Sequence, residues 1–381
     1  MKIQFDKSGK ASTLDVLLNS FSKDEDINSI LVLAGNNEEF EPQKIDPILR
    51  KSKKTVIGGI FSSIIYQKQV YLSGTIVIGL PFEISTHLVE DLSDKSQDLD
   101  AKVEEIAMNV DANNGGTFLV FADYYSTEVG AFIDSLFSIF GVINNFIGGG
   151  AGFYHPSDSM KSTHCIITNE GIKKDCAVLG FADTSSEICA NHGWEKISKP
   201  YRVTSTEANR VKTIDWQPAL DLYMKIVSED SGKEMTEDNF FEIGKDYSLG
   251  IDRLGSNIIV REPIGIHEDR SMTFIVSIPN ESYVYVLKGS TESMLKSVED
   301  TTKEFYTQTS IDSEKFLFLI DCVSRYYYMG EDFEKEISLI SHKDLPVVGV
   351  LSMGEIANTG QRFIEAYNKT FVIGVLDAKQ R

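Results

Sequence analysis

Apolar residues in this chain gather in unbroken runs that stop abruptly on polar residues or glycine. The clearest occupy 29–34, 117–122 and 316–320. A run without two-residue alternation describes a strand buried on both faces, as in a sheet covered by helices. The same succession follows each run. After the first, the pattern predicts a helix near 43–51, a strand over 55–57 that stops at Gly58-Gly59, and a strand over 74–80. After the second it predicts a helix over 126–140, a strand over 142–147 that stops at Gly148-Gly149-Gly150, and a strand over 176–181. After the third it predicts a helix over 331–341, a strand over 346–351 ending at Gly354, and a strand over 371–376. The middle helix is the best defined. Val129, Phe132, Ile133, Leu136, Phe137 and Phe140 recur every three or four residues and make one apolar stripe. Ser126 can cap its start, and Glu128 suits the positive end of its dipole.

These patterns predict an α/β fold of mixed, mainly parallel sheets covered by helices. Its recurring strand–helix–strand–strand units fill two closely packed domains, 1–212 and 213–381. A right-handed crossover brings the polar tips of a unit's first two strands to one sheet edge. There Asp123 and Asp321 hold equivalent places, as do Gly148-Gly149-Gly150 and Gly354-Glu355. Ligands sit at such carboxyl ends. Between the units, 228–239 reads as an exposed acidic loop and 254–287 as a meander of short strands. A helix over 291–306 turns Met294, Val298, Thr302 and Phe305 to one side. No Pro- or Ser-rich linker marks the boundary near Lys212.

Several short motifs follow one another in a fixed order. They are Gly148 through Gly152, His192-Gly193-Trp194, Val203-Thr204, Asn209, and 215–223 with Pro218-Ala219. Cys322 with Arg325, Gly354-Glu355-Ile356, and Asn368 with Thr370 complete the series. From about Ser29 onward the chain thereby resembles the FIST family of intracellular sensory proteins. The resemblance implies a small-molecule sensor that relays its signal to a separate protein, such as a histidine kinase or a chemotaxis component, and that is not an enzyme. It also implies amino-acid-like ligands, and a subset of the family resembles haem-binding nitric oxide sensors.

Charge narrows the partners. With 37 Lys and Arg against 57 Asp and Glu, the formal net charge is −20, which argues against duplex nucleic acid or an anionic membrane as the main partner. The opening residues lack the apolar stretch of a secretion signal, and the longest apolar runs fall short of a membrane span. Cys165, Cys176, Cys189 and Cys322 form no C-x-x-C pair. Free thiols in a reducing cytoplasm are the expectation.

The motifs allow several chemistries. Gly148–Gly152 departs from the dinucleotide pattern at Phe153, and no Walker lysine follows, so the glycines read as a strand-end turn beside a cleft. Cys322 three residues before Arg325 could be an activated thiol in a hydrolase or transferase, with His342 or His192 as remote bases. Alternatively, Arg325 and Glu355 form an internal ion pair or the two poles of a zwitterion site, with Glu355 or Asp123 receiving an ammonium. The expected ligand set is Asp123, Gly148, Gly149, Gly150, Cys322, Arg325, Gly354, Glu355 and Asn368, with no catalytic residue. If haem is bound, it is non-covalent, and His192 is the first axial ligand to consider, ahead of His155 and His164. His164, Cys165, Cys176 and Cys189 fit no common zinc spacing. Tyr326-Tyr327-Tyr328 can line a pocket or an interface, with one or two rings in the core.

Overall fold

A computed structural model describes residues 1–36, 39–153, 163–252, 258–312, 315–359 and 363–377. Its body is three six-stranded sheets. Each sheet has one parallel pair at its centre. The pairs are Ser29–Gly35 with Thr55–Phe61, Thr117–Asp123 with Asn145–Ala151, and Phe316–Cys322 with Val347–Ser352. Helices Pro42–Leu49, Val129–Phe140 and Phe333–Ile340 lie on the three crossovers. The next long strand in each case, Thr75–Leu80, Cys176–Ala182 or Phe371–Leu376, returns antiparallel beside the first.

All remaining pairings in the three sheets are antiparallel too. The sheets are therefore mixed but mostly antiparallel, where the apolar runs predicted mainly parallel ones. An unbroken run reports that both faces are buried and says nothing of the direction of the neighbouring strand. Burial here comes from two sources. One core gathers residues from all three sheets, among them Phe61, Phe121, Ile147 and Ile320. Helices cover the opposite faces, with Phe132 and Leu136 on the second sheet and Val298 and Ile337 on the third.

Hairpins knit the sheets together. Ser63–Tyr66 with Gln69–Tyr71 extends the third sheet from Val347–Ser352. Ile166–Thr168 with Gly171–Lys173 extends the first from Thr55–Phe61. Glu355–Ala357 with Glu365–Tyr367 extends the second from Asn145–Ala151. Ser186–Asn191 also joins the third sheet, beside Phe371–Leu376. Sequence on both sides of residue 212 thus shares sheets.

A fourth, nine-stranded antiparallel sheet is built from residues 195–288. It is packed by helix Ala219–Ser231 through Leu220, Tyr223 and Val227. The expected meander enters it as Ile259–Arg261, Met272–Phe274 and Tyr283–Lys288. This lobe leans over one end of the third sheet, and that junction holds the site.

The triple glycine differs from the expectation. Gly148, Gly149 and Gly150 lie inside the strand Asn145–Ala151 and do not form a turn after it. Glycine is required there by close approach. A Cβ on Gly148 would overlap the Val120 carbonyl oxygen of the parallel neighbour, and one on Gly150 would overlap the Tyr124 ring.

Candidate functional site

The strand Phe316–Cys322 delivers Asp321 and Cys322 to its carboxyl end, and the helix Val323–Met329 starts at once. Its first turn carries Arg325 inward, to 1% exposure. The guanidinium makes four hydrogen bonds to protein groups. Nε and Nη2 donate to Glu336 Oε1 at 3.0 and 2.6 Å. Nη1 donates to the carbonyls of His192 at 2.6 Å and Lys369 at 3.2 Å. Asp321 Oδ1 lies 3.4 Å from Nε. Burial pushes the Asp321 and Glu336 carboxyls up, and the Glu336 charge raises Asp321 further. The expected pairing of Arg325 with Glu355 is replaced by pairing with Glu336. This carboxylate comes from the helix Phe333–Ile340, where nothing in the sequence singled out Glu336.

Glu355 belongs to a neighbouring part of the same buried layer. Oε1 accepts from Ser352 Oγ at 2.8 Å, and Oε2 accepts from the Thr370 N–H at 3.4 Å. Burial lifts its pKa to about 8. Cys322 lies alongside. Burial drives its thiol well up, and the Glu355 and Glu262 charges push it higher. That is the reverse of what an activated nucleophile needs. Asn368 Nδ2 donates to the Tyr367 carbonyl at 3.0 Å and reaches the Tyr124 hydroxyl at 3.5 Å. Tyr124 fits only because Gly354 and Gly150 have no side chains. The Gly150 N–H donates to the Gly354 carbonyl at 2.7 Å, and Met353 N–H to the Gly150 carbonyl at 3.1 Å. The structure therefore brings Gly149, Gly150, Cys322, Arg325, Gly354, Glu355 and Asn368 into one layer. Asp123 faces elsewhere, accepting from the N–H groups of Tyr125 and Asp175 at 3.2 and 2.7 Å.

A cleft of about 710 Å³ opens over this layer, between the body and the nine-stranded lobe. Its floor is Val323, Ser324, Met353 and Lys369. Each is a sequence neighbour of a buried-layer residue. Tyr327 and Tyr328 form one wall. Phe241, Lys245, Asp246, Glu262, Pro263 and Ile264 line the lobe side. Of the three consecutive tyrosines, only Tyr326 turns away, its ring edge-on to Phe333.

Sequence reasoning missed the charged pair in this cleft. Lys369 Nζ is 3.0 Å from Glu262 Oε1. Glu262 Oε2 in turn accepts from Ser324 Oγ at 2.8 Å. Lys369 directly follows Asn368, so its place was one residue from a named position. Glu262 lies between two short strands of the lobe, Ile259–Arg261 and Pro263–Ile266, and carried no signal.

His192 does not fit an axial haem ligand. Its Nδ1 accepts the Trp194 N–H at 2.8 Å, so Nε2 carries the proton and donates to the Ile258 carbonyl at 2.9 Å. Burial lowers its pKa to about 4, so the ring is neutral, but both nitrogens are spent on backbone. His164 is exposed, and His155 lies outside the described residues. Among the described residues, no group of three or more His, Cys, Asp or Glu side chains could hold a metal ion. Nor is any helix among them long and apolar enough to cross a membrane.

Comparison with known families agrees with the order of motifs. The FIST N domain matches residues 30–217, and the FIST C domain matches residues 219–358. No curated protein matches the chain significantly. FIST domains are recognised as sensory domains of signalling proteins, and the two matches lie end to end along most of this sequence. The chain belongs to the FIST family.

Proposed function

We propose that this protein is a sensor that takes a small amino-acid-like molecule into the cleft between body and lobe and relays its presence to a separate signalling protein, such as a histidine kinase or a chemotaxis component. The observation that carries this reading is the cleft itself. Its volume of about 710 Å³ lies within the range of small-molecule sites, and aromatic walls surround a few convergent charges. A ligand carboxylate suits Lys369, and an ammonium suits Glu262 or Asp246. Tyr327, Tyr328 and Phe241 offer flat apolar surface to a side chain. Cys322, Arg325, Gly354, Glu355 and Asn368 shape the floor from beneath. Gly149 and Gly150, inside their strand, let Tyr124 and the Gly354 turn pack close beneath it, whereas Gly148 meets the Val120 backbone and Asp123 faces away. Four free cysteines suit a reducing cytoplasm.

The test is native mass spectrometry and an absorbance spectrum of freshly purified protein, then a thermal-shift panel of amino acids. A bound small molecule, or a shift that Tyr327→Ala removes, supports the reading. A protein that carries nothing and shifts with no member of the panel overturns it. A Soret band that survives His192→Ala would place haem elsewhere than at His192.

A further inference from the structure

Lys369 is an unusual residue for its position. It has a φ of 53°, a left-handed backbone that lysine adopts rarely and at a cost. Its ammonium is nearly buried, 4.6 Å from the centre of the Trp194 ring. Nζ reaches Glu262 Oε1 at 3.0 Å and the Lys245 carbonyl at 3.4 Å, both on the lobe. Its own carbonyl is held by Arg325 from the body. Glu262 completes the connection by accepting from Ser324 on the helix Val323–Met329. Three segments meet at one ion pair, and all three line the cleft.

We propose that Lys369, Glu262 and Ser324 form a clasp that holds the lobe on the body, and that a ligand carboxylate opens it by taking the place of Glu262 on Lys369. This rests on the reading of the cleft as the ligand site. The cation available to an entering anion already has a partner, so binding is an exchange of one carboxylate for another. Exposure decides which partner moves. The side chain of Lys369 is 5% exposed and that of Glu262 21%. Glu262 can withdraw into water, whereas stripping the buried ammonium of its anion is far more costly. Lys369 is also tied to the body through Arg325. The carboxylate and the lobe that bears it therefore shift, releasing Ser324 and the Lys245 carbonyl. The ligand favours the open arrangement because only there is Lys369 free to receive it, which is the differential affinity that a switch requires.

The chain has two tryptophans. Trp194 lies under Lys369, and Trp216 is 79% exposed. A Trp216→Phe background therefore leaves one emitter at the clasp. In that background, hydrogen exchange is compared over 240–265 for the parent, Glu262→Gln and the milder Ser324→Ala, each checked for folding by circular dichroism. Without any ligand, Glu262→Gln should exchange at least fivefold faster around 245 and 262, Ser324→Ala should fall between, and Trp194 emission should shift in both. Phenylacetate and phenethylamine then serve as probes with one aromatic body and opposite charge. Phenylacetate should bind Glu262→Gln at least tenfold more tightly than the parent and should not bind Lys369→Met. Phenethylamine should gain nothing from Glu262→Gln. Unchanged exchange together with equal phenylacetate affinity would overturn the clasp, even if loss of binding in Tyr327→Ala upholds the cleft. If neither probe binds any variant, the cleft reading is what suffers, and the ligand-free exchange result still decides the clasp.

Discussion

Arg325→Met separates a structural arginine from a ligand-binding one. The substitution removes donors from two buried carbonyls, those of His192 and Lys369, and leaves Glu336 without its cation. Each orphaned carbonyl costs about 1 kcal/mol or more. The carboxylate term has a ceiling, because Glu336 can take up a proton instead of staying charged. From an ordinary value of 4.5, protonation at pH 7 costs about 3.4 kcal/mol, at about 1.36 kcal/mol per unit. The expected loss is about 4–5 kcal/mol. With an unfolding entropy of about 2.1 cal/mol/K per residue, 381 residues unfolding together give about 0.8 kcal/mol/K, so the midpoint should fall by about 5–6 °C. Two controls follow. Adding Glu336→Leu removes the carboxylate term and should restore about half of the loss. Lowering the pH to 5 should also shrink the deficit, because protonating Glu336 then costs only about 0.7 kcal/mol. Scanning calorimetry at both pH values is the assay. A midpoint within 1 °C of the parent would refute the buried-pair reasoning, and if ligand response vanished as well, Arg325 would be facing the ligand.

Three further outcomes are expected. Glu355 has a folded pKa of about 8 against an ordinary 4.5, so the native state holds a proton that the unfolded state lacks between those values. Its contribution is complete below about pH 4.5 and is lost as pH rises through about 8, so Glu355→Gln should flatten the stability profile by about 1 kcal/mol per pH unit between about pH 5 and 8, as measured by urea midpoints. Gly148→Ala should destabilise by about 3 kcal/mol or more, because the new methyl meets the Val120 backbone, which cannot turn away as a side chain could; soluble yield and midpoint report it. Cys322 should resist iodoacetamide at pH 8 in the native protein and react at the rate of an ordinary thiol in urea, and rapid native alkylation would contradict its burial and raised pKa.

The positions of the long strands were legible. The runs at 29–34, 117–122 and 316–320 became Ser29–Gly35, Thr117–Asp123 and Phe316–Cys322, because a strand buried on both faces leaves no polar position inside it. The helix expected over 126–140 begins at Val129, because Ser126 bonds to Asp175 Oδ1 at 2.7 Å and caps nothing. The cleft was approached but not reached by sequence: Cys322, Glu355 and Asn368 lie under its floor, while Ser324, Met353 and Lys369 line it.

Sequence alone determined where the long buried strands run and which family the chain joins. Those properties depend on residues close along the chain, where side-chain type and spacing leave few choices. Tertiary structure alone decided strand direction, the exchange of hairpins among sheets, the choice of Glu336 over Glu355 by Arg325, and the meeting of Lys369 with Glu262. Partners 11 and 107 residues apart in sequence (336 − 325 and 369 − 262) are selected by how whole sheets and helices pack, and a buried guanidinium takes whichever carboxylate and carbonyls that packing brings within about 3 Å.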